Sequence, residues 1–286
     1  MLNGISYVNL DINEISDDIN TIFPDWDMND EKVCIFSPHD DDALIGAAYA
    51  IEAALLNNAQ VYIFIFCDGD AGYSIAGLKD VIVKIRQDET LKAYSHLGIS
   101  SDNIIRFGYH DFSVASRLGW FLEDDEEGCF RKVVSYLREL KITRILVPNH
   151  YREHIDHTAV NLIGSYYSVQ AGDPIVVDWG QPHRVKSALE YSVWADFSPE
   201  DSIVNGRNLH LRANRMILVG KGTENRVCYG IGEYASQGEI IKGLIDARTV
   251  KNVEDRLFME LYMAFDPRPK LNYSAYIDYI HGLLDG

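Results

Sequence analysis

Along this chain, apolar residues gather in short runs that alternate with stretches of helical spacing. Residues 33–39 are an apolar run that stops at polar residues, as a buried strand does. Residues 43–56 are rich in Ala, Leu and Ile with no glycine after Gly46, which predicts a buried helix. Residues 60–67, β-branched and aromatic, predict a strand ending at Asp68-Gly69. Residues 81–97 have helical spacing and stop at Gly98. A short strand follows at 103–109, a helix at 128–140, a strand at 144–148 and a helix at 158–169. Further on, 186–194 and 215–219 read as strands, and 234–244 and 253–264 as helices. Residues 1–30 are acidic and irregular and read as an N-terminal extension laid over a core.

Strand and helix alternating through short connections predict an α/β fold, a Rossmann-like, mostly parallel sheet flanked by helices. The 286 residues read as a single domain, with its core at 31–170 and a C-terminal α/β extension at 171–286. In such open sheets ligands bind at the carboxyl ends of strands. The places to look are therefore just after His39, Cys67, Tyr109 and Pro148.

Charge narrows the choice of partner. Lys and Arg number 26 against 43 Asp and Glu, a net charge of −17. With no basic cluster, the chain is not expected to bind nucleic acid, and an anionic membrane would repel it. A hydrophobic fraction of 47% with 24% charged residues is that of a folded protein. The longest apolar run, 61–67, is strand-sized and far short of the ~20 residues of a spanning helix. Residues 1–13 lack the basic-then-apolar pattern of an export signal. Cys34, Cys67, Cys129 and Cys228 form no CxxC pair and read as reduced thiols, so a cytoplasmic location is expected. The acidic run 123–127 reads as a solvated loop or helix start.

Two polar clusters carry the chemistry. The first predicted strand ends in Ser37-Pro38-His39-Asp40-Asp41-Asp42, one imidazole and three carboxylates within four positions. Carboxylates so close repel one another unless a cation neutralises them, and His with Asp suits Zn²⁺ or a similar divalent ion. An Asp-rich helix N-terminus is the plainer explanation of this cluster taken alone. The strand at 144–148 leads to the second cluster, which includes His154-Ile155-Asp156-His157. At a helix start, residues three apart share a face, so two imidazoles reach one point while a carboxylate orients one of them. No GxGxxG fingerprint, phosphate loop or GxSxG elbow is present.

The two clusters resemble the motifs of the PIG-L (LmbE-like) N-deacetylase family, Pro/Ala-His-Pro-Asp-Asp-Glu after the first strand and His-x-Asp-His later. Here they stand as Pro38-His39-Asp40-Asp41-Asp42-Ala43 and His154-Ile155-Asp156-His157. Asp68-Gly69-Asp70-Ala71-Gly72 is similar to the family's acidic loop after strand two. Arg86-Gln87-Asp88-Glu89 with Leu97-Gly98 is similar to its Arg-x-x-Glu…Leu-Gly helix, and Tyr234-Ala235-Ser236-Gln237 to its Tyr-x-Ser-Gln stretch. The resemblance covers residues 32–170 well and the remainder loosely. Two positions depart from the pattern: Asp40 stands for the usual Pro, adding negative charge near the metal or substrate, and Ala43 stands for the usual Glu.

The resemblance implies a mononuclear zinc site, or one for another divalent metal, with His39, Asp42 and His157 as ligands. Asp41 matches the general base. His154 matches the group that stabilises the oxyanion or protonates the leaving amine, with Asp156 orienting it. Arg86 and Asp111 match substrate-facing positions, and Asp68 would hold the site together or touch a sugar hydroxyl. His110, His150 and Tyr151 fall near the expected mouth, whereas His96, His183, His210 and His281 stand in no motif. The implied reaction is removal of acetyl from an N-acetylglucosamine-type sugar or aminosugar conjugate. An aminoglycoside-type antibiotic intermediate or another small amide is the alternative substrate, and a non-catalytic sugar-binding relative the remote one. The expected partner is thus a small N-acetylated sugar, with no nucleic acid, no membrane insertion and a possible homo-oligomer. Specificity in this family depends on loops around the pocket, here 73–80, 111–128 and the C-terminal third.

Overall fold

The computed structural model of the chain describes residues 4–150, 153–194, 197, 213–254, 257–268 and 270–285. Tyr151 and His210 lie outside them. The first strands are β1 (Ile5–Asn9), β2 (Glu14–Ser16), β3 (Lys32–Ser37), β4 (Gln60–Cys67) and β5 (Ile104–Tyr109). They are followed by β6 (Arg144–Pro148), β7 (Ser187–Tyr191), β8 (Arg215–Gly220), β9 (Asn252–Glu254) and β10 (Leu257–Phe265). The helices are α1 (Asp42–Gly46), α2 (Ala48–Leu56), α3 (Ile82–Ser95), α4 (Cys129–Glu139), α5 (Ile155–Ala171), α6 (Lys221–Ile231), α7 (Gly238–Ala247) and α8 (Ser274–Leu284).

Among the described residues these ten strands join one mixed sheet in the order β2-β1-β8-β10-β7-β6-β3-β4-β5, with β9 beside β10. The half from β7 to β5 is parallel, and the rest pairs antiparallel. The central strands are apolar throughout because both faces are covered. Alternate side chains serve the two layers. Val33, Ile35, Ile63 and Ile65 pack in one core with Ala50 of α2, Tyr94 of α3 and Val227 of α6. Cys34, Phe36, Phe64 and Phe66 pack in the other with Val133 and Leu137 of α4 and Ile163 of α5. The four cysteines are free, and Cys34, Cys67 and Cys129 are buried. Among the described residues no helix is long and apolar enough to cross a membrane.

Several elements differ from the reading of the sequence. The described residues of the expected helix 253–264 are not helical but belong to β9 and β10. Their Leu, Met, Glu and Ala favour helix, but Glu260 and Tyr262, two apart, both turn inward to a buried polar cluster, and the tertiary setting overrides propensity. The N-terminal segment is not merely laid over the core: β1 pairs with β2 and with β8 and so extends the sheet. The helix at 43–56 is interrupted at Ala47, whose φ of −131° and ψ of 14° are not helical. The helix expected from Tyr234 begins at Gly238 instead, after a short 3₁₀ turn. Helix α5 begins at Ile155, three residues earlier than its apolar pattern, and α6 and α8 have no counterpart in that pattern.

Candidate active site

Strands β3 and β6 are neighbours, and from them the chain crosses to opposite halves of the parallel sheet, β3 to β4 and β6 to β7. The gap between their carboxyl ends is a topological switch point, where open α/β sheets place their ligands. Both polar clusters emerge there. A tight turn presents the first. Ser37 Oγ accepts from Ala43 N at 3.1 Å and donates to His39 O at 2.6 Å, while Asp42 Oδ2 accepts from His39 N at 2.8 Å. The second cluster opens α5, with His154 as N-cap accepting from Asp156 N at 3.2 Å through Nδ1.

The turn and the helix start bring three side chains together. Asp42 Oδ2 lies 3.0 Å from His39 Nδ1 and 3.2 Å from His157 Nε2. The three ligand atoms all fall within 4.8 Å of one another. Two imidazole nitrogens and one carboxylate oxygen, so converged, are a donor set that fits a divalent ion such as zinc. Burial alone would lower His157, but Asp42 and Glu153 outweigh it and hold its pKa at about 9. Burial would raise Asp42, yet His157 and His39 hold it well below the usual carboxylate range.

Each of the two histidines has a carboxylate on its far side. Glu153 Oε2 lies 2.8 Å from His157 Nδ1, and Asp156 Oδ2 lies 3.4 Å from His39 Nε2. Such outer carboxylates fix the tautomer and ring orientation of metal-binding histidines. Asp156 stands slightly closer to His39 than to His154, whose Nδ1 is 3.6 Å away. Its oxygens also accept from Phe112 N at 2.6 Å and Val114 N at 3.1 Å. Glu153 was not singled out from the sequence. The signal that finds it is its i, i+4 spacing to His157.

Asp41 caps α1 at the edge of this group. Burial pushes its carboxyl up against the pull of Arg86, and the neighbouring Asp42 adds to the rise. Arg86, on α3, donates from Nη2 to Asp41 Oδ1 at 3.4 Å and from Nε to Asp40 Oδ2 at 3.3 Å, and its guanidinium lies over the Tyr234 ring at 5.1 Å. Its buried Nη1 has no hydrogen-bond partner among the described residues. Asp40 is fully buried and does not add charge to the cavity. Besides Arg86, its carboxylate takes Thr90 Oγ1 at 2.7 Å and Arg106 Nη2, and its backbone oxygen takes the hydroxyls of Tyr234 at 2.7 Å and Tyr94 at 3.2 Å. Ala43 is likewise buried, in the apolar core.

A cavity of about 300 Å³ covers the group, lined by His39, Asp41, Asp42, Arg86, Asp111, His154 and His157 among others. The carboxylate of Asp111 accepts from Gly69 N and Ala71 N, both at 3.0 Å, and so closes the loop after β4. Asp68 is not part of the lining and faces the charge of Arg106. His110 pairs with Asp70 at 2.6 Å, and His150 turns to Glu190 at 2.7 Å, outside the cavity. His154 is lowered from its ordinary pKa by burial and by His39. The mouth also carries side chains that the sequence did not single out: Phe112, Trp194, and Ile240 and Leu244 of α7.

The structure is thus an α/β sheet with a His-Asp-His group at its switch point that could hold a metal ion. Residues 34–167 match one family model, and the chain carries over that span a PIG-L domain, described as GlcNAc-PI de-N-acetylase. Solved structures share the fold. One is the N,N'-diacetylchitobiose deacetylase from Pyrococcus horikoshii, 17% identical, covering 87% of this chain and 91% of that one with a TM-score of 0.65. Another is the 4-carboxy-2-hydroxymuconate hydratase GalB from Pseudomonas putida KT2440, 13% identical, covering 85% and 99% with a TM-score of 0.60. A third is a deacetylase involved in the teicoplanin biosynthetic pathway, 15% identical, covering 83% and 99% with a TM-score of 0.54. No curated protein matches the chain in sequence. At these identities the likeness establishes the fold, the PIG-L/LmbE deacetylase fold.

Proposed function

We propose that the chain is a metal-dependent hydrolase that removes the acetyl group from the nitrogen of an acetamido sugar or aminosugar conjugate. The observation that carries this reading is the convergence of His39, Asp42 and His157 beside the buried carboxylate of Asp41. The fold alone does not fix the reaction, since a hydratase shares it. The PIG-L domain and two deacetylases among the fold relatives favour amide hydrolysis.

His39, Asp42 and His157 would hold the metal, zinc or another divalent ion. When bound, it supplies a Lewis acid for the amide carbonyl and lowers the pKa of a water to ~7 in favourable sites. The residues divide the remaining work. Asp41, raised by burial and still bonded to Arg86, takes the proton of the attacking water. His154 accepts the Asp156 N–H at Nδ1, so its neutral ring carries the proton on Nε2. That N–H faces the carbonyl oxygen as charge develops there, and the proton that Asp41 has taken from the water passes to the nitrogen of the leaving amine as the C–N bond breaks, with His154 beside it. Asp156 and Glu153 steady the two ligating imidazoles. Arg86 Nη1 offers the substrate a buried donor, Asp111 shapes the loop beside it, and Asp68 backs the site.

Metal analysis together with acetate release from N-acetylglucosaminyl compounds tests the proposal. The protein should bind a divalent metal and release acetate. Asp41→Ala should keep the metal and lose about 10²–10⁴-fold in turnover. Wild-type protein that binds no divalent metal would sink the mechanism, and full turnover by Asp41→Ala would remove Asp41 as the base.

A further inference from the structure

The floor of the cavity is polar and charged, but its mouth is not. Phe112 is 65% exposed, Trp194 56% and Ile240 49%, and with Leu244 they line the entrance from three separate segments of chain. Ile240 and Leu244 are one turn apart on α7 and so present a single apolar face. Single exposed apolar residues are ordinary, whereas several converging on one opening mark a binding surface.

The two aromatic side chains are also placed deliberately. Phe112 has a φ of +64°, a left-handed conformation that a bulky residue seldom adopts and that costs free energy unless its surroundings impose it. Asp156 imposes it by taking the Phe112 N–H at 2.6 Å, and the Phe112 ring lies 4.5 Å from that of His154. Trp194 is held in the same manner, its N–H donated to Glu153 Oε1 at 2.9 Å. Asp156 and Glu153 are the carboxylates behind His39 and His157. Each therefore fixes one histidine of the metal group and one aromatic residue of the mouth.

We propose that this mouth is a subsite for an apolar alkyl or aryl substituent of the substrate, and that Phe112 and Trp194 are its specificity-determining residues. The inference rests on the amide hydrolysis proposed above and adds what the substrate carries: a polar N-acylated sugar at the floor and an apolar group at the entrance. That group is either the aglycone or an acyl chain longer than acetyl, and two pairs of probes distinguish them. The first pair is the methyl and octyl β-glycosides of N-acetylglucosamine. The second is the N-acetyl and N-octanoyl forms of methyl glucosaminide, all below micellar concentration. In one pair the octyl member should have a kcat/KM at least about tenfold above its partner, since each buried methylene contributes to discrimination. The ratio should fall below about threefold in Phe112→Asn, which keeps a residue tolerant of positive φ, and in Trp194→Ser. It should persist in Val177→Ser, an exposed apolar residue outside the mouth. Calorimetric titration of Asp41→Ala with the same pairs reads the subsite without turnover and should give the same ratio. Equal binding of the short and long members, or a preference that survives both aromatic substitutions, overturns the inference. A binding preference without hydrolysis of any probe would uphold the subsite and refute the proposed reaction; hydrolysis of all probes at equal rates would do the reverse.

Discussion

Glu153 Oε2 lies 2.8 Å from Nδ1 of His157, and the other oxygen of the same carboxylate accepts the Ser192 hydroxyl at 2.8 Å and the N–H groups of Val193 at 3.0 Å and Trp194 at 2.9 Å. A carboxylate so fixed holds the proton on Nδ1 and leaves Nε2, on the side of Asp42, as the nitrogen that would ligate a metal. Glu153→Ala should therefore weaken divalent-metal binding about 10–100-fold, read by competition with a chromophoric chelator. Glu153→Gln should lose less, because its amide oxygen still accepts from Nδ1. Wild-type affinity in Glu153→Ala would show that the imidazole needs no such support.

The parts of the site visible in the sequence were those whose meaning is local. The run His39 to Asp42 and the pair His154 and His157 stand together in the chain, and the strand-end rule said that the two groups meet. Glu153 was hidden because a Glu at a helix start is ordinary, and only burial against His157 makes it particular. Asp40 was misplaced for the same reason. In the sequence it extends an acidic cluster, whereas in the fold it points away from its neighbours into Arg86, Arg106 and Thr90. The parallel half of the sheet was legible from its continuous apolar runs. The antiparallel half was not, because β10 is built from helix formers and β1 and β2 are short, and only pairing with distant strands settles either.

The cluster around Asp40 predicts two effects that separate. Asp40 is the shared partner of two guanidinium groups, so Asp40→Ala should cost about 3 kcal/mol or more by removing the one carboxylate bonded to both, leaving buried Arg86 with Asp41 alone and Arg106 without its ion pair. Denaturant unfolding reads this, and an unchanged midpoint would show the cluster to be dispensable. Arg86→Lys should act chiefly on turnover. A lysine is a point charge and does not reach from Asp40 to Asp41 as the fork of Arg86 does. A kcat at least about tenfold lower with full metal content is expected, within the range for losing a positioned catalytic group.

Acid sensitivity should come in part from the opposite end of the sheet. Glu31 is buried beside Arg144, whose Nη2 donates to Oε1 at 2.9 Å and Nε to Oε2 at 3.1 Å; Lys186 adds a contact at 2.9 Å. Burial would raise this carboxyl, but the hydrogen bonds from Arg144, Thr143, Asp27 and Lys186 outweigh it and hold its pKa at about 2, against 4.5 for the free side chain. A group depressed in the folded state stabilises it above the unfolded pKa and loses that contribution as the pH falls towards the folded one. The window is therefore about pH 4.5 to 2, and the contribution on the order of 3 kcal/mol. Other carboxylates titrate there too, so the check is a difference: between pH 5 and 3, wild type should lose stability more steeply than Glu31→Gln. Parallel pH curves would rule out this source.

One substitution should have opposite signs at two helical glycines. A Cβ on Gly46, at the end of α1, would lie 2.6 Å from the backbone oxygen of Ser192 and 2.7 Å from the Tyr191 ring. The Ser192 backbone continues β7 and leads to Val193 and Trp194, which hold Glu153, so it cannot yield without moving the support of His157. Gly46→Ala should cost about 1–3 kcal/mol by overpacking, and should weaken metal binding as well. Gly243, inside α7, has nothing within 4 Å of the same position. There Gly243→Ala gains helix propensity without a clash and should stabilise by roughly 0.5–1 kcal/mol. Thermal unfolding of the two variants beside wild type, with chelator titration of each, decides the matter. A stable Gly46→Ala with unchanged metal affinity would mean that the contact between α1 and the end of β7 is loose enough to open, and that the metal group does not depend on it.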